Sequence, residues 1–324
     1  MSEGGEHSPD GRLLDGRYRL AGRIGSGPNG TVWRALDERE GRHVAVKELR
    51  LSEDAEDEER RRVVHRLAHE ARAAARVDHP AAVTLHGVLL DDELPWVVME
   101  LVAGEPLDVV LAGRGPLPAA ETARIGLAVL GALHAAHGVG IVHRHLKPTN
   151  VLLETGSGRV VVTDFGIGGA GHTGGRESSA GFVAPESASG PGAGPASDLW
   201  SLGAVFRAAV ADAQAGPLGP LLQRLLVPEP EKRPSAEEAA RVLAEVAGTS
   251  SPEWALLADA PGAGQGSGRE AAAVESGPPA SDLHDPSAGP STVPEPRRLT
   301  ALSALGLLLQ KNPNAADRPR RPTP

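Results

Sequence analysis

The chain contains no cysteine, which excludes disulfides, cysteine-ligated zinc and thiol nucleophiles. That composition suits a reducing compartment, and a cytoplasmic setting is the expectation. An excess of positive charge is also missing. The formal net charge of −9 gives no electrostatic reason to expect a nucleic-acid partner. Long apolar runs are absent too. The longest near the C-terminus, 301–309, is broken by Ser303 and Gly306 and falls well short of the roughly 20 residues a membrane span needs. The first ten residues are polar and acidic, without the basic-then-apolar order of a secretory signal. No internal repeat is present. A soluble protein is expected, and 324 residues suffice for one large or two ordinary domains.

Along the chain, residues 1–15 read as a flexible lead. From 16 to 102 the pattern is strand-rich: 18–25, 30–37 and 43–49 are short β-favouring runs separated by turn residues. An acid-rich stretch at 53–62 leads into a helix over 63–76, which ends at Asp78-His79-Pro80 because proline disfavours helical geometry in the residue before it. Two more strands fit 82–89 and 96–101. After Gly104 helices take over, at 119–137, 198–211, 220–226 and 236–246, so 103–246 forms a second, helical lobe. From 247 to 324 the chain turns Pro/Gly/Ala-rich, with 12 of the 28 prolines lying beyond residue 250. Such a segment buries too little apolar surface to offset its ordering entropy, and is expected to be disordered. Within it, 299–309 reads as a transient helix.

Several motifs carry chemistry. Gly25-Ser26-Gly27-Pro28-Asn29-Gly30-Thr31-Val32 is a G-x-G-x-x-G-x-V run. Glycines at this spacing also open dinucleotide-binding folds, but there the loop leads into a helix. Here Thr31-Val32-Trp33 continues as a strand, which gives a hairpin whose bare backbone can approach phosphates closely. Lys47 ends the strand Val44-Ala45-Val46 and needs an anion to hold it. Glu70, on the apolar side of the next helix, is the best-placed acid. Asp164-Phe165-Gly166 follows a buried strand, where a carboxylate suits a hard cation.

With His143-Arg144-His145-Leu146-Lys147-Pro148-Thr149-Asn150 between these, and Ala184-Pro185-Glu186, Asp198-Leu199-Trp200 and Arg233 after them, residues 18–246 resemble a bacterial, eukaryotic-type (Hanks-type) Ser/Thr protein kinase. The resemblance implies an α+β bilobal fold that binds ATP with Mg²⁺ or Mn²⁺ between its lobes. It assigns Ile24, Gly25, Gly27, Gly30, Val32, Ala45, Lys47, Glu70, Met99, Glu100, Val102 and Leu152 to ATP. Met99 would back the adenine pocket, backbone groups of 100–102 would bond the base, and Val32, Ala45 and Leu152 would sandwich it. Asn150 and Asp164 would hold metal, Lys147 would contact the transferred phosphoryl, and Glu186 would pair with Arg233. A protein partner or substrate is implied without being named.

Two features depart from the family pattern. The catalytic-loop aspartate, which orients the acceptor hydroxyl and takes its proton, is replaced by His145. Only 35 positions separate Asp198 from Arg233, too few for the additional docking helix and loop usual there. The segment 166–183 is short and glycine-rich, and carries the hydroxyls Thr173, Ser178 and Ser179 as candidate phosphosites. The ATP half thus matches while the acceptor half does not. This predicts an ATP-binding pseudokinase in signalling, and the alternative reading is a slow Ser/Thr kinase.

Overall fold

The structure, a computed structural model, describes residues 11–27, 30–49, 57–91, 94–167, 180–188, 192–211 and 215–257. The first part is built on β1 (Leu13–Leu14), β2 (Tyr18–Gly27), β3 (Gly30–Asp37), β4 (Arg42–Leu49), helix α1 (Asp57–Ala74), β5 (Leu85–Asp91) and β6 (Leu94–Glu100). The strands form one antiparallel sheet in the order β1-β2-β3-β4-β6-β5. Strand β4 is covered on both faces, which explains its unbroken apolar run Val44-Ala45-Val46. Because side chains alternate, Ala45 faces the core shared with α1 and the helical part. Val44 and Val46 instead join Leu14, Tyr18, Leu20, Trp96 and Val98 in a smaller cluster on the other face. Helix α1 is placed by the buried stripe Leu67, Ala71 and Ala74, spaced at helical period.

The second part begins with β7 (Gly104–Pro106), α2 (Leu107–Arg114) and α3 (Ala119–Gly138). Then come β8 (Val151–Glu154), β9 (Val160–Val162), α4 (Pro185–Ala188), α5 (Pro195–Ala209), α6 (Gly219–Leu225), α7 (Ala236–Ala247) and α8 (Glu253–Leu257). Strands β7, β8 and β9 make a small antiparallel sheet beneath the cleft. The helices bury α3 most deeply, with Val129, Leu130, Ala132 and Leu133 inaccessible. Helix α7 is well delimited. The Ser235 hydroxyl accepts from the Glu238 backbone N–H at its start, and Gly248, at φ +66°, ends it in a left-handed turn.

The bilobal α+β expectation holds, and three boundaries move. Residues 13–14, expected in a flexible lead, pair with β2, and Leu14 is fully buried. The strand expected at 82–89 starts at Leu85, while Ala82 makes only an isolated bridge to Val162. The helical part does not end at 246. Trp254 of α8 stacks on His134 of α3 with ring centroids 4.1 Å apart, and Ala255 is fully buried. The expectations for 1–10 and 258–324, including the helix at 299–309, lie outside the described residues.

Candidate active site

The β2–β3 hairpin closes over a cavity of about 570 Å³. Its register pairs Gly25 with Val32, Ser26 with Thr31 and Gly27 with Gly30, so the glycine motif is a strand-turn-strand, as its sequence context requires. Ile24, Gly25, Gly27, Gly30 and Val32 line the roof. Ala45 and Lys47 enter from β4, Met99 and Glu100 from β6, and Val102 from the segment that follows. Leu152 of β8 forms the floor, and Lys147, Asn150 and Asp164 meet at the inner end. Of the residues assigned from sequence, Glu70 and His145 lie outside this lining.

Both oxygens of Asp164 accept hydrogen bonds from the Lys47 ammonium, each at 2.7 Å. Here the sequence expectation needs correction: the carboxylate on Lys47 is Asp164, 117 positions away, and not Glu70. Glu70 is half-buried on α1, whose position relative to β4 decides the pairing, and helical spacing alone does not give that position. Burial by itself would push the Asp164 carboxyl up. The charge and hydrogen bonds of Lys47 outweigh it and hold the group below the ordinary carboxylate range. Asp164 sits at φ +65° and Arg144 at φ +67°, left-handed geometry that non-glycine residues adopt at a cost.

The loop that carries Arg144 is anchored from beneath. Asp198, fully buried on α5, accepts from the backbone N–H groups of His143 and Arg144, both at 2.9 Å, and from the His137 imidazole at 2.7 Å. The His143 Nε2–H donates to the Thr163 carbonyl at 2.9 Å, and its ring leans on Phe165. Asn150 donates its amide to the His145 carbonyl at 2.8 Å, and the His145 backbone N–H donates to His143 Nδ1 at 3.3 Å. All these contacts to residue 145 go through its backbone. The side chain's Nε2 is buried without a hydrogen-bond partner. Burial first, then the neighbouring His143, push the His145 imidazole down to about 4 against the opposing pull of Asp164. It is therefore neutral at physiological pH.

Near the hinge between the parts, Arg159 forms a bidentate pair with Glu100 at 2.8 and 3.1 Å. The Glu100 backbone N–H donates to the Thr84 carbonyl at 2.9 Å. Further down, Arg233 binds Glu186 at 2.6 and 2.9 Å and also donates to the carbonyls of Ala196, Val227 and Pro228. The Arg233 hydrogen bonds, outweighing desolvation, bring the Glu186 carboxyl down to about 2.

The protein kinase domain model matches residues 18–217. The chain belongs to the protein kinase family. Among its relatives, "Serine/threonine-protein kinase PknA" of Mycobacterium tuberculosis is 38% identical over 251 residues, covering 73% of this chain and 57% of the relative. "Serine/threonine-protein kinase PknL" of the same organism is 38% identical over 210 residues, or 63% and 51% of the two chains. A probable serine/threonine-protein kinase of Clostridium perfringens is 37% identical over 202 residues, 60% of this chain and 29% of the relative. The chain thus matches little more than half the length of its mycobacterial relatives. These matches place it with the bacterial Hanks-type Ser/Thr kinases.

Sequence reasoning missed several lining residues of this kinase cleft. Val83 stands at the back of the cavity, and Thr163 lies beside Asp164. Thr163 could have been found from its adjacency to Asp164. Val83 carried no motif, only its place as an apolar residue soon after His79-Pro80. No helix among the described residues is long and apolar enough to cross a membrane. The candidate phosphosites Thr173, Ser178 and Ser179 lie outside the described residues.

Proposed function

We propose that this domain binds Mg-ATP in the cleft and works as a pseudokinase, a nucleotide-gated regulator with weak or no phosphotransfer. The observation that carries this reading is the contrast between the assembled nucleotide cavity and the covered, unpartnered Nε2 of His145. Asn150 and Asp164 supply the amide and carboxylate oxygens that a hard divalent cation prefers, so this donor set fits Mg²⁺. When bound, the metal would neutralise phosphate charge. Lys47 would then shift from Asp164 alone toward the phosphates, and Lys147 would face the transferred group. Ile24, which is exposed at the mouth, would gain an apolar contact from the base.

Basicity is not what His145 lacks. An imidazole pushed down to about 4 accepts a proton about as readily as an ordinary aspartate. What it lacks is negative charge with which to hold a hydroxyl in line, and its Nε2 is covered; in phosphoryl transfer positioning counts most. The shortened stretch before Arg233 adds to this. The described residues there hold one seven-residue helix, α6, and the family match stops at 217. The second reading, a slow Ser/Thr kinase, is favoured by the intact Lys147, Asn150 and Asp164 at the inner end of the cavity. A cytoplasmic setting, where ATP is supplied, belongs to both readings.

The test is melting with and without Mg-ATP, run beside transfer from labelled ATP with Asp164→Asn as the blank. A rise in melting temperature that grows with ligand concentration, with label no higher than the blank, is the expected result. Turnover at roughly 1–100 s⁻¹, the ordinary kinase range, would overturn the pseudokinase reading. A flat melting response would remove the nucleotide as well.

A further inference from the structure

A second cavity of about 620 Å³ opens between α3, the end of α2, the β8–β9 turn and residues 79–81. Its floor is apolar, with Ile125 and Ala128 from α3 and Leu153 and Val160 from the small sheet. Arg114, Arg124 and Arg159 stand around that floor on three separate elements. The Arg114–Glu121 pair is long, at 3.3 Å, and exposed, so it stabilises little and can exchange for another carboxylate. Arg124 is exposed and has no ion-pair partner among the described residues. Glu154, the other acid in the lining, accepts from the Ser157 hydroxyl and lies 3.9 Å from Arg159, so the cation left without an acid among the described residues of the lining is Arg124. The Arg159 side chain donates to the Pro80 carbonyl at 2.8 Å and to Glu100 through both terminal nitrogens. Glu100 in turn lines the nucleotide cavity. A single ion pair therefore has one member in each cavity.

We propose that the second cavity docks an acidic, leucine-bearing segment of a partner protein, and that its occupancy is felt at the nucleotide site through Arg159 and Glu100. Carboxylates of the segment pair with Arg124 and, displacing Glu121, with Arg114. Apolar side chains cover Ile125, Ala128, Leu153 and Val160. Charge complementarity selects this occupant, since the unmatched charge on the rim, Arg124, is cationic, and the lining beneath is apolar apart from His79. The proposal rests on reading the domain as a nucleotide-gated interaction module, but the docking half stands or falls without nucleotide.

The experiment titrates full-length protein with the tetrapeptide acetyl-Glu-Leu-Leu-Glu-amide and with its neutral counterpart acetyl-Gln-Leu-Leu-Gln-amide. The acidic peptide should bind about fivefold more tightly or better, and the preference should fade at high salt. It should vanish in Arg124→Glu, whose exposed position leaves melting unchanged. Arg124→Gln, expected to be intermediate, repeats the test without charge reversal. Equal binding of the two peptides, no binding at millimolar concentration, or an undiminished preference in Arg124→Glu each overturns docking. Mg-ATP should change the peptide affinity by the same factor by which peptide changes the ATP affinity. A factor of one overturns the coupling through Arg159.

Discussion

On the nucleotide side of the cleft, side chains from β2, β3, β4, β6 and β8 converge on one cavity, and two of its charged members, Lys47 and Asp164, satisfy each other at 2.7 Å. On the acceptor side, the loop is held as firmly, by Asp198 and Asn150, yet the side chain it presents has a buried nitrogen with no partner. Order is therefore common to both sides. They differ in that the first pairs its buried charges, Lys47 with Asp164, whereas the second carries a neutral imidazole with an unpartnered nitrogen. On the proposed reading, a well-ordered loop is no measure of catalytic competence. The chemistry of one side chain is a separate question from the shape that carries it.

The comparison breaks most readily at Lys47. Lys47→Ala leaves the buried Asp164 carboxylate without its partner, and losses of about 3–5 kcal/mol are usual for such a change. Chemical denaturation should show a drop of that order, and the ATP-dependent rise in melting temperature should disappear. Combining Lys47→Met with Asp164→Asn should recover part of the stability but none of the response to ATP. A preserved ATP response in either protein would mean that the cavity is not the nucleotide site.

His145→Asp sharpens the comparison from the other side. It places a carboxylate in a loop whose anchors are backbone-borne, so the fold should be unaffected. Autophosphorylation measured with labelled ATP should rise by about 10²–10⁴-fold, the usual weight of a base-type group. Transfer to a free peptide should rise less, because a tethered hydroxyl needs no docking platform. If neither reaction improves, the defect lies in the shortened stretch before Arg233 and not at His145.

Acidity gives a third handle. The His145 imidazole is near 4 in the folded chain and near 6.5 when unfolded, so between those values the unfolded state binds more protons. Its contribution is fully present above about pH 6.5 and is lost as pH falls toward 4. The loss amounts to at most about 3 kcal/mol. Denaturation from pH 7 down to pH 4 should be steeper for wild type than for His145→Asn. Parallel curves would show that the imidazole is not desolvated as its covered Nε2 implies.

The smallest effect concerns α8. Truncation after residue 257 should leave melting unchanged, whereas Trp254→Ala should cost about 1–2 kcal/mol through lost stacking and burial against His134. An unaffected Trp254→Ala would return the end of the domain to the α7 cap at Gly248.

Much of this could be read from the sequence where spacing carries the information. The glycine run, Lys47, Asn150 and Asp164 lie in motifs whose order predicts that they meet, and the structure brings them to one cavity. The partner of Lys47 was not legible, because Glu70 and Asp164 are both plausible acids and only the placement of α1 against the sheet chooses between them. Strand β1 was missed because two residues are too few for any alternation to register. Helix α8 was missed because its five residues sit among prolines and serines. Its tie to the fold is the contact of Trp254 with a histidine 120 positions earlier.

The Asp198 anchor has a consequence for how such a chain can change. Its carboxylate grips the loop at 143 and 144, and Asn150 grips the carbonyl of 145, so the side chain at 145 is a fitting in a socket that does not depend on it. A lineage could swap that fitting in a single codon, in either direction, without passing through a misfolded intermediate. Gain and loss of catalysis would then be neighbouring states on an otherwise unchanged scaffold.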